Sequence, residues 1–276
     1  MKYIKPVAIT IFIITAIIFL VNWVQYKNSI DSNGAVFHME EKLLKVPVKA
    51  ENSDYLKGVK AIDKKDGDLT GQVIIESISK FVNKDKHICN ITYAVEDSEK
   101  NITKATRQIQ YVDYHKPKFY LKKPLCLGTG EDEKAIDIIG ATDVFDGDIS
   151  NKVKILSASF STLSSGDSTV LAQATNSRGD TVKMKAHVII KEENTKAPKI
   201  VLKNNLVYLH KGDKFREMNQ VAYVESPAGK KFSTRGVKVS SSNVNMDKAG
   251  CYNVIYTMNE NRTNESITNL TVIVED

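Results

Sequence analysis

Ala61-Ile-Asp63-Lys-Lys-Asp66-Gly67-Asp68-Leu69-Thr70 and Ala141-Thr-Asp143-Val-Phe-Asp146-Gly147-Asp148-Ile149-Ser150 are two copies of one element, A-x-D-x-x-D-G-D-[LI]-[ST]. Their offset is 80 residues, the length of a small domain. Asp-Gly-Asp reads as a tight turn. Glycine reaches positive φ without strain, and an Asp carboxylate closes onto backbone N–H groups a few residues ahead.

Downstream of each copy lies a strictly alternating stretch. It reads His87-Ile-Cys89-Asn-Ile91-Thr-Tyr93 in the first unit and Gly166-Asp-Ser168-Thr-Val170-Leu-Ala172 in the second. A third copy, Gly250-Cys-Tyr252-Asn-Val254-Ile-Tyr256, has no aspartate element before it. Ala222-Tyr-Val-Glu-Ser-Pro-Ala-Gly stands there instead. Alternation of this kind predicts half-buried strands, with Cys89, Ile91 and Tyr93 facing one core and Tyr252, Val254 and Tyr256 another. Turn residues follow at Glu96–Asn101, Thr175–Asp180 and Asn259–Asn264, then a Val/Ile-rich strand, so each unit closes in a β-hairpin.

Pro117 and Pro198 mark the unit junctions. The units are 34–113, 114–194 and 195–276, and no stretch after Val24 has a helical period. The fold class expected is all-β: three tandem immunoglobulin-like β-sandwiches after one N-terminal transmembrane helix.

Val7–Val21 is apolar but for two threonines, and Trp23 and Val24 extend it past Asn22. Residues 7–24 would rise about 27 Å as a helix, enough to cross a hydrocarbon core. Lys2 and Lys5 place residues 1–6 in the cytoplasm by the positive-inside rule, and 25–33 serve as a linker. The segment NWVQYKNS lacks a small-x-small cleavage site, so the helix reads as an uncleaved signal anchor. The expected location is the cell membrane, single-pass, with the C-terminal domains extracellular.

The 276 residues are 42% hydrophobic and 26% charged, which suits folded domains and excludes a disordered chain or several membrane spans. A net charge of +6 from scattered lysines does not point to nucleic acid. Cys89, Cys126 and Cys251 fall one to a unit, so no unit can hold an internal bridge.

The aspartate element, the G-x-Y-x-V-x-Y strand and Asp97-Ser98-Glu99-Lys100-Asn101 together resemble the bacterial surface-protein immunoglobulin-like domains found in tandem on Gram-positive envelopes. The first unit departs by having His87 where glycine is usual, and the second lacks the tyrosines. The resemblance implies a β-sandwich repeat used as stalk, spacer or adhesive module.

Asp63, Asp66, Asp68 and Asp97 would meet at one end of the first sandwich, and Asp143, Asp146, Asp148 and Asn176 at one end of the second. Such oxygen ligands suit Ca²⁺, although the spacing is not that of an EF-hand; the plainer reading is that the carboxylates cap turns. No other cofactor is called for. Arg178-Gly179-Asp180 is an RGD tripeptide where the hairpin needs turn residues anyway. Five N-x-[ST] sequons, at Asn90, Asn101, Asn261, Asn264 and Asn269, read as coincidence in an Asn/Thr-rich chain. The five histidines are dispersed and no G-x-S-x-G elbow occurs, so no catalytic site is expected. Partners expected are the membrane through residues 7–24 and a cell-wall polymer, host matrix protein or another envelope protein. The third unit is the expected contact module, through Tyr208, Phe215, Tyr223 and Phe232 if two or more are exposed together, or through Lys211, Lys214, Lys230 and Lys231; the plainer readings are core aromatics and a solvated lysine face. The function expected is a membrane-anchored extracellular stalk with a binding or adhesion surface. The alternative is an accessory subunit or extracytoplasmic sensor on a larger envelope complex, which a polar face at Thr10, Thr15 and Asn22 would favour.

Overall fold

A computed structural model describes residues 4–29, 34–130, 134–158, 165–192, 194–259 and 265–276. The chain forms two compact units, 1–113 and 114–276. Most of the turn of the third hairpin, with Asn261 and Asn264, lies outside the described residues.

Unit 1 opens with helix α1 (Ile4–Ser29). Strands β1 (Val36–Met39) and β2 (Leu43–Val46), a one-turn helix α2 (Asn52–Tyr55), then β3 (Val59–Asp63), β4 (Gly67–Asp68), β5 (Ile74–Asn83), β6 (Ile88–Glu96) and β7 (Ile102–Tyr111) follow. At 1.5 Å per residue, the 26 residues of α1 run about 39 Å. Its stretch Ala8–Lys27 has a mean hydropathy of 2.2 and no buried part, so it is long and apolar enough to cross a membrane. Thr15 returns its hydroxyl to Ile11 O (3.0 Å) and Phe12 O (2.9 Å), which satisfies it within the helix.

The seven strands of unit 1 form two sheets, β1-β3-β4 and β2-β7-β6-β5, an immunoglobulin-like sandwich. Alternation in β6 sends Cys89, Ile91, Tyr93 and Val95 inward, all nearly or fully buried. The opposite face carries Thr92, whose hydroxyl meets that of its cross-strand partner Thr106 at 3.2 Å. Each large side chain so buried contributes about 1.5–3 kcal/mol. One end of this core is polar. Arg107 on β7 is buried and donates from Nε to Tyr93 Oη (2.8 Å), and from Nη2 to Tyr55 O (2.7 Å) and Lys57 O (2.8 Å). It thus pins α2 to the sheet.

Unit 2 contains two further sandwiches. The first has β8 (Lys118–Leu121), β9 (Cys126–Gly128), a helical turn α3 (Ala135–Ile138), β10 (Ile139–Asp143), β11 (Gly147–Asp148), β12 (Lys154–Ala158), β13 (Gly166–Thr175) and β14 (Thr181–Lys191). Its sheets are β11-β10-β8 and β12-β13-β14-β9. Gly140 on β10 lies under the ring of Tyr120, where a Cβ would come within 2.2 Å of ring carbon and force the ring to move.

The last sandwich has β15 (Lys199–Leu202), β16 (Leu206–His210), β17 (Val221–Glu225), β18 (Lys231–Phe232), β19 (Lys238–Ser242), β20 (Gly250–Asn259) and β21 (Glu265–Glu275). Its sheets are β15-β17-β18 and β16-β21-β20-β19. Val254, Tyr256, Leu270 and Val272 form its fully buried centre, and Tyr252 packs against it.

Within unit 2 the two sandwiches also meet away from the junction at Pro198. Leu206, Cys251 and Ile273 of the last sandwich pack against the core of the preceding one. Asn269 Nδ2 donates to His187 O (2.9 Å), Asn205 Nδ2 to Leu121 O (3.1 Å) and Lys191 Nζ to Ile267 O (3.2 Å). Phe119 N–H donates to Tyr208 Oη at 2.7 Å. The outward face of β20 and β21 is therefore an interior surface. On that face Asn253, Asn269 and Thr271 are buried, and Cys251 and Ile273 are half-buried.

Candidate functional site

Every repeated letter of the A-x-D-x-x-D-G-D element has a structural partner. In unit 1, Asp63 Oδ1 accepts Lys65 N–H (2.8 Å) and Asp66 N–H (2.9 Å), closing the loop between β3 and β4. Gly67 sits at φ +77°, where a side chain would be strained. Asp68 Oδ1 accepts Thr70 N–H (2.9 Å), and Thr70 Oγ1 accepts Ala61 N–H (3.1 Å). Ala61 itself is fully buried. The second copy repeats this at Asp143 with Phe145 and Asp146, at Gly147 with φ +70°, and at Asp148 with Ser150.

The third carboxylate ties this turn to the β-hairpin. Asp66 Oδ2 accepts Ser98 N–H (2.8 Å) and Oδ1 accepts the Ser98 hydroxyl (2.7 Å). Asp146 Oδ2 accepts Ser177 N–H at 2.7 Å and also Lys152 Nζ at 2.8 Å. The structure brings Asp63, Asp66 and Asp97 to one end of the first sandwich, while Asp68 is spent on the next turn. Among the described residues no group of three His, Cys, Asp or Glu side chains converges as metal ligands.

The proton affinities follow the hydrogen bonds. Asp66 is held below the usual carboxylate range by the backbone N–H and the hydroxyl of Ser98, and Asp68 by Thr70. Burial works to raise Asp97, but donors from Asn101 and Glu99 outweigh it and leave it lowered. Asp146 is likewise lowered against its burial, by Lys152 and Ser177, and Asp148 is lowered by Ser150.

The hairpin tips differ. Asp97 Oδ2 in unit 1 accepts from Asn101 Nδ2 (2.7 Å). Asn176 holds the matching place in unit 2 and donates from Nδ2 to Asp143 Oδ2 (2.9 Å) and Tyr114 Oη (3.0 Å). Tyr114 Oη in turn donates to Asp180 Oδ2 (2.8 Å). Burial first, and then the Asp180 carboxylate, push the Tyr114 phenol upward. Asp63 Oδ2 is buried with no hydrogen-bond partner. The aspartate of the RGD tripeptide, Asp180, is 5% exposed and engaged, so it is not presented at the surface.

The cysteines form no disulfide. Burial pushes the Cys126 thiol up to about 11 and the Cys251 thiol up to about 12, so neither is a ready nucleophile. Asn269, a sequon asparagine, is fully buried and closed to a glycan. Of the aromatic residues proposed for contact, Tyr208 is half-buried and bonded to Phe119 N–H of the preceding sandwich, and Phe215 packs on the core. Phe232 is 48% exposed, with Lys230 Nζ 5.6 Å from its ring, and Lys231 Nζ lies 4.3 Å from the half-buried Tyr223 ring. Phe232 stands opposite the buried Val224, whereas Tyr223 is on the other face of β17, so the two rings do not form one patch.

What the sequence did not reveal is a cleft of about 580 Å³ within unit 2. The first sandwich of that unit contributes the segment Lys123–Gly128 with Lys191, and the second contributes β15, the turn at 225–229 and the start of β21. Its charged residues are Lys123, Lys191, Lys199 and Glu225. No local motif marks it, because its walls lie far apart in the chain.

No protein-family model matches the chain, and no curated protein matches it. Among solved structures, it is similar to the CBM51-2 and INT domains of Clostridium perfringens ZmpB in complex with GlcNAc. The identity there is 18%, over 54% of this chain and 26% of that one, with a TM-score of 0.23. The ZmpB M60 catalytic domain with CBM51-1 and CBM51-2 is similar at 15% identity, over 90% of this chain and 31% of that one, with a TM-score of 0.24. Human CDH23 EC21-23 is similar at 12% identity, over 87% of this chain and 100% of that one, with a TM-score of 0.21. The chain thus spans less than a third of the length of the two ZmpB structures.

Proposed function

We propose that this chain is a membrane-anchored extracellular protein that presents its immunoglobulin-like modules as a stalk and binding surface. The observation that carries this reading is α1: a 26-residue helix whose large apolar side chains, Phe12 and Phe19 among them, are exposed. Burying such a surface in a bilayer takes a long run of apolar side chains out of water. Lys2 and Lys5 before the span, and Trp23 and Tyr26 near its other end, favour an orientation with the sandwiches outside. The carboxylates of the turns are engaged with backbone donors, which supports a mechanical and recognitive role for the sandwiches rather than a catalytic one.

The test is membrane fractionation of expressing cells combined with protease shaving. The chain is expected to stay in the pellet through carbonate extraction, to retain Met1 by intact mass, and to lose its sandwiches to external protease. Release into the medium with a new N-terminus would overturn the anchor. Co-purification in fixed ratio with one other envelope protein, and binding to nothing else, would favour the accessory-subunit role.

A further inference from the structure

The net charge of +6 conceals an uneven distribution. Residues 196–238 hold ten Lys and Arg against three Asp and Glu, a net of +7, so the rest of the chain together carries −1. This stretch runs from just before β15 to the first residue of β19, all within the last sandwich of unit 2.

Folding gathers six of these cations on one edge of that sandwich. Strands β18 and β19 are the outermost strands of its two sheets, and only residues 233–237 join them, so they lie on the same side. Lys230 and Lys231 stand at the start of β18, Arg235 in the connection and Lys238 at the head of β19. The short helical turn Glu217–Gln220 packs against β17 and β19, and Tyr256 Oη ties it down by donating to Glu217 O (2.8 Å). Lys214 and Arg216 lead into this turn on either side of Phe215, which packs on the core.

All six cations are exposed, and among the described residues none is ion-paired to a carboxylate. Nearby Lys211, by contrast, is taken by Asp276. Lys230 and Lys231 rest on the rings of Phe232 and Tyr223, which orients an ammonium without neutralising it. The acids of the stretch do not balance the edge. Asp213 is turned onto His210 N–H (2.7 Å), Glu217 is half-buried, and half-buried Glu225 stands in register with both Lys199 and Lys231.

Charge complementarity asks for an anion, and the layout narrows its kind. Arg216 lies before the start of β17 and Lys231 pairs with its end, so the row runs the length of that strand, roughly 13 Å at 3.3 Å per residue. One small anion cannot span it. Tyr223 and Phe232 face opposite ways, so the edge has neither the apolar centre on which a protein interface is built nor a paired ring platform for nucleic-acid bases. Four of the six are lysines, point charges that take phosphate without a fixed fork geometry.

We infer that this β18–β19 edge binds a linear, base-free polymer of repeated phosphate groups, held by several shallow contacts along the row. The inference deepens the binding-surface part of the proposed function and rests on it, but not on the anchor.

The test uses the full chain in detergent micelles, so the fate of α1 has no influence on it. Poly(glycerol phosphate), inorganic polyphosphate, polyglutamate, oligothymidylate and vesicles of anionic lipid are titrated at equal charge by biolayer interferometry. The two phosphate polymers are expected to bind at least tenfold more tightly than the other three. Their affinity should fall with salt at a log–log slope of about −4, as six contacts at roughly 0.7 each imply. Arg235→Glu with Lys238→Glu, and separately Lys214→Glu with Arg216→Glu, should each weaken binding at least tenfold. Lys84→Glu with Lys86→Glu, the same charge change on an exposed turn of unit 1, should alter it less than twofold. An equal loss from the unit 1 variant overturns the edge in favour of diffuse net charge. Equal or tighter binding of polyglutamate, oligothymidylate or vesicles overturns the phosphate polymer as the partner. No binding of any probe overturns both the edge and the binding-surface reading, while leaving the anchor to its own fractionation test.

Discussion

The aspartate turn of unit 1 and that of the first sandwich in unit 2 share their loop, their glycine and their hydrogen bonds to backbone, yet they close differently. Where unit 1 has Asp97 and Asn101, unit 2 has Asn176 and Asp180. The acid and the amide have exchanged places. In unit 2 the exchange lets one amide reach Asp143 Oδ2, and lets Tyr114 join Asn176 to Asp180. In unit 1 the amide at 101 serves Asp97, and Asp63 Oδ2 stays unpartnered. A turn motif settles the local backbone, but the satisfaction of its buried far oxygen depends on the next hairpin.

The sharpest way to break the comparison is Asn176→Asp. It removes the donor to Asp143 and sets a second carboxylate against it, so unit 2 should lose about 2–4 kcal/mol. Hydrogen-exchange mass spectrometry across a urea series reads each sandwich separately, with unit 1 as the unchanged control. An unchanged unit 2 would mean that the amide bridge contributes nothing. Tyr114→Phe should follow at about 1–2 kcal/mol, because Asp180 and Asn176 each lose a buried partner.

Acid sharpens the contrast further. The folded-state affinities of Asp66, Asp68 and Asp97 are lowered from 3.8, so their stabilisation is present above about pH 4 and lost as pH falls through the depressed folded values. Unit 2 has Asp146 and Asp148 lowered in the same way, but Asn176 has no proton to take up at the hairpin position. Unit 1 should therefore lose its structure first on acidification, and Asp97→Asn should reduce the difference. A unit 2 that melts at the higher pH contradicts this.

Smaller effects come from the backbone. Lys100 sits at φ +70° where unit 2 has Gly179 at φ +78°. Lys100→Gly should stabilise unit 1 by about 0.5–1 kcal/mol in the same urea series, as relief of the left-handed strain exceeds the glycine's added entropy. Millimolar Ca²⁺ should produce the least change, a shift in melting temperature below about 1 °C, because the carboxylates of the turns are already committed to backbone donors. A rise of several degrees would make Asp63 Oδ2 a cation ligand and the two turns functionally distinct.

Several features were legible in the chain itself. Alternation from Cys89 to Tyr93 predicted a face that is buried, and Asp-Gly-Asp predicted a turn. His87, placed where glycine is usual in the resembled repeats, has φ +55°. The lone RGD was already weak as a signal, and Asp180 is buried. Other features were not legible. Asn205, Tyr208 and Asn269 carry no signature, because each bonds a residue more than eighty positions away.

By itself the sequence determined local matters: apolar length at the N-terminus, period-two strands, and turns whose glycine and aspartates act within a few residues. Those depend on backbone geometry and near neighbours. Tertiary structure alone decided that the two sandwiches after residue 113 merge into one unit, that Tyr208 and Asn205 reach the backbone of β8, and that a cleft lies between the sandwiches of that unit. Such outcomes depend on which outward-facing side chains meet across space, and period-two patterning is silent about that, since it distinguishes inside from outside but not one outside from another.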